Sequence, residues 1–199
     1  MTAVRSDAPA VGAAAAEVVG SDLMVVVPVR VPARARAWLG LAASLALADG
    51  LRAVARVPAE VAWPDAVTVQ RAMCGGSGGA YRTAEVRVEG GSVAARISLM
   101  GSSLALPTGW TSVWSEGGKP DVEPIVEAYV AALHERIAQL LADDPRLAAD
   151  YRLRCVTLGR LVDIAGQRGI VDGIDADAAL LATVDGVQHR LDPADVPRI

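Results

Sequence analysis

One change of hydrophobic period constrains this chain more than any other feature. Residues 23–30 are mostly apolar and β-branched, the pattern of a buried strand. Residues 34–55 then place Trp38, Leu41, Leu45, Ala48 and Arg52 at helical spacing, with Leu39, Ala42 and Ala46 widening the stripe. A stripe that wide predicts a long buried helix. Strand patterns resume over 61–69, 83–88 and 92–100, and Glu89-Gly90-Gly91 has the turn chemistry of a hairpin. The prediction is a sheet with helices on one side. Pro28 lacks an N–H for a strand ladder and points to an edge or a bulge.

The second half repeats the switch. Residues 102–120 are Gly- and Pro-rich and read as a loop. A helix begins near Asp121, which can cap it, with Glu123 and Pro124 suited to its first turn. Val126, Tyr129, Val130, Leu133, Ile137, Leu140 and Leu141 form its apolar face. Asp144-Pro145 restarts a shorter helix towards Cys155, with Arg146, Arg152 and Arg154 at exposed positions. Short strands follow at 161–165, 169–174, 179–184 and 187–191, and Asp185-Gly186 is a two-residue hairpin signal. The chain therefore reads as α/β in the α+β sense, a mixed sheet flanked by helices and then a small β-barrel. Its predicted parts are a flexible tail at 1–20, a main domain at 21–156 and a carboxyl-terminal domain at 157–199.

Composition excludes several classes. The chain has 199 residues, 52% of them hydrophobic, and no Phe, so its core is built from Val, Leu, Ile and Ala. A net charge of −4 gives no electrostatic reason to bind nucleic acid. The apolar run 23–29 is far shorter than the ~20 residues of a membrane span, so no membrane association is expected. The Ala-rich leader has no clean apolar core or cleavage pattern, which argues against a secretory signal. Two cysteines, Cys74 and Cys155, suit free thiols in a reducing, cytoplasmic setting.

Few residues here carry chemistry by pattern alone. Gly75-Gly76-Ser77-Gly78-Gly79 satisfies G-x-S-x-G, with His189 later in the chain, but a nucleophile elbow needs a helix next and residues 81–88 read as a strand. The run also lacks the Lys-Ser/Thr ending of a phosphate-binding loop. Cys74 has no nearby His, and His134 sits on the polar side of its helix. Asp143-Asp144 reads as a helix cap and Asp175 with Asp177 as a turn, so no metal site is expected.

Trp63-Pro64-Asp65-Ala66-Val67, followed by Met73-Cys74-Gly75-Gly76, is more specific. It resembles the biotin protein ligase family, whose active-site strand reads W-P-N-D-hydrophobic and then K-L-A-G. Asp65 falls on the Asn, Ala66 on the Asp and Met73 on the Lys, while Gly76 is kept. The resemblance extends to the helix at 32–53 and to the end of the chain. There Gly159-Arg160, Val171-Asp172-Gly173-Ile174-Asp175, Leu180-Leu181, Asp185-Gly186 and Ala194-Asp195-Val196 echo the family's SH3-like cap.

That resemblance implies a ligase-like domain followed by an SH3-like barrel, with Trp63, Pro64, Asp65 and Gly76 as candidate ligand-binding residues. It also implies a loss of chemistry. Adenylate formation and acyl transfer develop negative charge on oxygen, and losing one preorganised donor costs about 100- to 1,000-fold. Met73 offers a thioether where the family has an ammonium. Lys119 is the sole lysine and is remote in sequence, so Arg71, two residues from Met73 on an alternating strand, is the candidate substitute. The family's close-packing glycines in G-I-G-x-N are replaced along Arg96-Ile97-Ser98-Leu99-Met100, and residues 1–31 hold neither its S-S-T segment nor its arginine-rich loop. The expected protein is a degenerate homologue acting as a binding module for a biotin carrier domain, a cognate ligase or its own copy. The alternative is a divergent biotin or lipoyl ligase that uses biotin, ATP and Mg.

Overall fold

A computed structural model of the protein describes residues 10–71, 79–101, 106–164 and 166–193, the side chain of Arg71 excepted. The larger sheet has six strands in the order β1-β2-β6-β5-β4-β3. These are β1 (Ala15–Val19), β2 (Asp22–Pro28), β3 (Ala59–Ala62), β4 (Ala66–Arg71), β5 (Gly79–Glu89) and β6 (Ser92–Ser98). Every pairing in it is antiparallel, so the sheet is not mixed as the sequence suggested.

Helices α1 (Arg36–Gly50) and α2 (Val122–Leu141) cover one face, and the shorter α3 (Pro145–Arg154) follows. Alternation explains which face. Leu23, Val25 and Val27 of β2 lie opposite Ile97, Ala95 and Val93 of β6, and all are buried towards the helices. A turn of π-helix at Leu51–Ala55 extends α1. Residues 33–55 are long and apolar enough to cross a bilayer, yet most of that segment is buried inside the fold, where it is the core helix.

Several sequence expectations change. Residues 15–19 do not belong to a flexible tail but form β1, an edge strand whose residues are all exposed. Pro28 ends β2, an interior strand, at neither an edge nor a bulge: its carbonyl accepts from the Gly12 N–H, and pairing continues as the Val29 N–H donates to the Gly91 carbonyl. The extended run at 61–69 is a hairpin, because Trp63-Pro64-Asp65 turns the chain between β3 and β4 through a cis Trp63-Pro64 bond. Asp121 occupies the N-cap of α2 without a side-chain bond, whereas Asp144 caps α3 by accepting from the Arg146 N–H. Arg152 and Arg154 are not idle surface residues: Arg152 donates to the Ile174 carbonyl and Arg154 to the Ala59 carbonyl.

The carboxyl-terminal strands are β7 (Leu161–Ile164), β8 (Gln167–Ile174), β9 (Leu180–Val184) and β10 (Val187–Leu191). They form an antiparallel four-stranded meander in the order β10-β9-β8-β7. The Asp185-Gly186 turn joins β9 to β10 with both residues at positive φ, as a two-residue hairpin requires. The connection to this sheet covers the β3 edge: Cys155 bridges Val61, and the Val156 N–H donates to the Val61 carbonyl at 2.9 Å.

Candidate functional site

The face of the large sheet turned away from the helices carries a dense polar surface. Register places Met24, Arg96 and Glu85 in one row across β2, β6 and β5. Arg96 donates to Asp22 at 2.8 Å, and Glu85 accepts from Arg82 and Arg87 at 3.3 Å each. Trp110, whose segment pairs with Arg82 beyond the end of β6, meets two guanidiniums. Arg96 lies 5.0 Å and Arg82 5.6 Å from its ring centroid, within the range of cation–π attraction. Each of these arginine charges thus faces a carboxylate, an indole or both.

Beside that row lie hydroxyls with nothing to bind. Ser98 and Thr68 stand on the same open face by register, and Thr83 is the extra residue where the β4–β5 pairing shifts. Their relative exposures are 1%, 5% and 0%, and none of the hydroxyl oxygens has a hydrogen-bond partner among the described residues. A buried polar group left unpaired costs about 1–3 kcal/mol, so a run of them calls for an explanation.

The sequence-derived residues lie elsewhere. Pro64 and Asp65 line a cavity of about 500 Å³ between the start of α1, β5 and the four-stranded sheet, together with Arg36, Arg87 and Asp177. Trp63 is buried, and its indole N–H donates to the Ala178 carbonyl at 2.8 Å, so its polar edge is bound to the carboxyl-terminal domain. The Arg71 backbone pairs with Gly79 at the end of β4. The Arg71 side chain, Met73, Cys74, Gly76 and Ser77 lie outside the described residues. His189 is on β10, opposite Ala182, and His134 is exposed on α2. Sequence reasoning missed Trp38 as a partner of the carboxyl-terminal domain, as well as Trp110 and the hydroxyl row. Trp110 carried no pattern, because its partners come from strands 14 or more residues away in sequence.

Comparison with known proteins supplies the kinship. The chain is 31% identical over 177 residues to the biotin–[acetyl-CoA-carboxylase] ligase of Mycobacterium tuberculosis, covering 84% of this chain and 65% of that protein. It belongs to the biotin protein ligase family. The chain thus spans just under two thirds of the length of that curated relative. The fold agrees: a biotin protein ligase-like protein of unknown function from a Silicibacter species superposes with a TM-score of 0.73 at 15% identity, over 92% of this chain and 84% of that one. The biotin protein ligase of Aquifex aeolicus superposes with a TM-score of 0.69 at 13% identity, over 86% and 78%. A structure of that Aquifex enzyme holds biotin and ATP. No family-wide sequence profile matches the chain. Along residues 96–98, Arg96 and Ser98 stand on the face of the sheet turned away from the helices.

Proposed function

We propose that this member of the biotin protein ligase family acts by binding and has lost the ability to form an acyl adenylate. The observation that carries the reading is Arg96. Its side chain projects from the open face, held to Asp22 and stacked on Trp110, in the segment that by sequence resemblance takes the place of the family's close-packing glycines. The residues present there do not suit a nucleotide triphosphate. Arg82 and Arg87 share Glu85 and Arg96 pairs with Asp22, so drawing these guanidiniums to a phosphate would weaken the compensation of two largely buried carboxylates. Met73 adds no cation. The partner in this reading is a biotin carrier domain, a cognate ligase or a second copy joined along β1, which is an edge strand among the described residues.

One observation favours the second reading, a divergent biotin or lipoyl ligase. The unpaired hydroxyls of Thr68, Thr83 and Ser98 supply both donors and acceptors for a polar ligand. A single experiment separates the two. The protein is incubated with biotin or lipoate, ATP and Mg, with and without a carrier domain, and acyl adenylate and carrier-lysine acylation are read by mass spectrometry. The first reading expects neither product. Adenylate formation by the isolated protein overturns it and establishes the second.

A further inference from the structure

Donors from three separate parts of the larger domain converge on one loop of the smaller. Arg152 of α3 donates through Nη2 to the Ile174 carbonyl at 2.8 Å. Trp38 of α1 donates through Nε1 to the Ala176 carbonyl at 2.8 Å. Trp63 of the β3–β4 turn donates through Nε1 to the Ala178 carbonyl at 2.8 Å. The three acceptors are carbonyls of one short stretch, at residues 174, 176 and 178.

The loop is shaped from its own side as well. Asp175 Oδ1 accepts from the N–H groups of Asp177 and Ala179, at 2.8 and 2.9 Å, while Oδ2 accepts from Arg190 Nε at 2.8 Å. Ala178 is held in the left-handed region at φ 65°, a conformation that a non-glycine residue keeps only when its surroundings fix it. Both indoles are about 9% exposed, and the Trp63 backbone N–H is also committed, to Thr157 Oγ1 at 3.0 Å. Trp38 further meets Tyr151 edge-on, with ring centroids 6.1 Å apart.

We propose that residues 174–179 form an acceptor clamp that locks the four-stranded sheet onto the larger domain, with Trp38 and Trp63 as its docking residues. The clamp sets Asp177 in the wall of the interdomain cavity that Pro64 and Asp65 also line. Trp63 is accordingly a positioning residue. Its N–H is bound to Ala178, and the cavity-lining part of the motif is Pro64 and Asp65. The inference holds under either reading of the open sheet face.

The test is hydrogen–deuterium exchange on the full chain carrying Trp38→Phe and Trp63→Phe together, which keeps aromatic rings and removes both N–H donors. Peptides from β8, β9 and β10 are expected to exchange about tenfold faster or more than in the unsubstituted protein, as two buried hydrogen bonds predict. Peptides from α1 and α2 should keep their rates. Exchange of the small sheet within twofold of the unsubstituted protein overturns the clamp, and so does an equal rise in α1 and α2, which would mark a general core defect. Should the double variant fail to fold, Trp63→Phe alone is judged by the same two criteria. Asp175→Ala, which removes the acceptor for the Asp177 and Ala179 N–H groups without touching an indole, should shift the small sheet in the same direction.

Discussion

At the scale of single residues, Asp175 shows how one carboxylate can make a domain contact sensitive to acid. Burial works against its charge, but hydrogen bonds from Arg190 and from the Ala179 and Asp177 N–H groups outweigh that and hold its pKa below the usual carboxylate range. A carboxylate depressed in the folded state contributes stability that is complete above the unfolded value, about 3.9, and is lost as pH falls through the folded one. Thermal melts of the unsubstituted protein should therefore hold steady from neutrality down to about pH 4 in respect of this group and weaken below it. Asp175→Asn should melt lower at neutral pH and lose this component of the acid dependence. A variant with the same acid profile as the parent would show that Asp175 does not couple to folding. Trp63 teaches a related lesson. The Trp-Pro-Asp motif was readable in sequence, but the partner of the indole, Ala178, lies 115 residues away, and no local pattern announces it.

At the scale of elements, strong periodicity was a good guide and turn chemistry a better one. The helical stripe led to α1, and Asp185-Gly186 to the β9–β10 hairpin, because both signals are local: a helix face repeats within a few residues, and a tight turn needs positive φ at its own positions. The β3–β4 hairpin was read as one strand because its turn has no glycine and both arms are apolar. The crossing of α1 and α2 was equally hidden. Gly50 brings the two backbones so close that a Cβ there would sit 3.0 Å from the Tyr129 nitrogen and 3.2 Å from its Cα. Gly50→Ala should gain up to about 1 kcal/mol in helix propensity and lose about 1–3 kcal/mol to overpacking. The expected net result is destabilisation by about 1 kcal/mol, seen as a midpoint lowered by roughly 2–4 °C. An unchanged or raised midpoint in calorimetry would mean that the helices separate freely.

At the scale of the whole molecule, a network of charges ties the helical layer to the sheet. Arg136 of α2 donates to Asp49 of α1 at 2.8 Å and to Asp150 of α3 at 2.6 Å, and Arg154 joins Asp49 to the Ala59 carbonyl of β3. Burial opposes the Arg136 charge, but its bonds to Asp150 and Asp49 outweigh it and raise its pKa. Arg136→Met keeps much of the side-chain volume and leaves Asp49 and Asp150 to compete for solvent or Arg154. With the guanidinium only 13% exposed, the loss should be about 2–3 kcal/mol, below the range for a fully buried pair because Asp150 is 43% exposed. Urea denaturation checks this, and a shift under about 0.5 kcal/mol would place the network among ordinary surface pairs. What the sequence determined by itself was the helices, most of the strands, the two-sheet division and the kinship carried by Trp63-Pro64-Asp65 and the carboxyl-terminal turns, because each is written in neighbouring residues. The tertiary structure alone decided that Arg96 stacks on Trp110 and pairs with Asp22, that the hydroxyls of Ser98, Thr83 and Thr68 are buried, and that two indoles grip one distant loop. Those contacts arise only when register and packing bring separate strands and domains together, and no spacing along the chain encodes them.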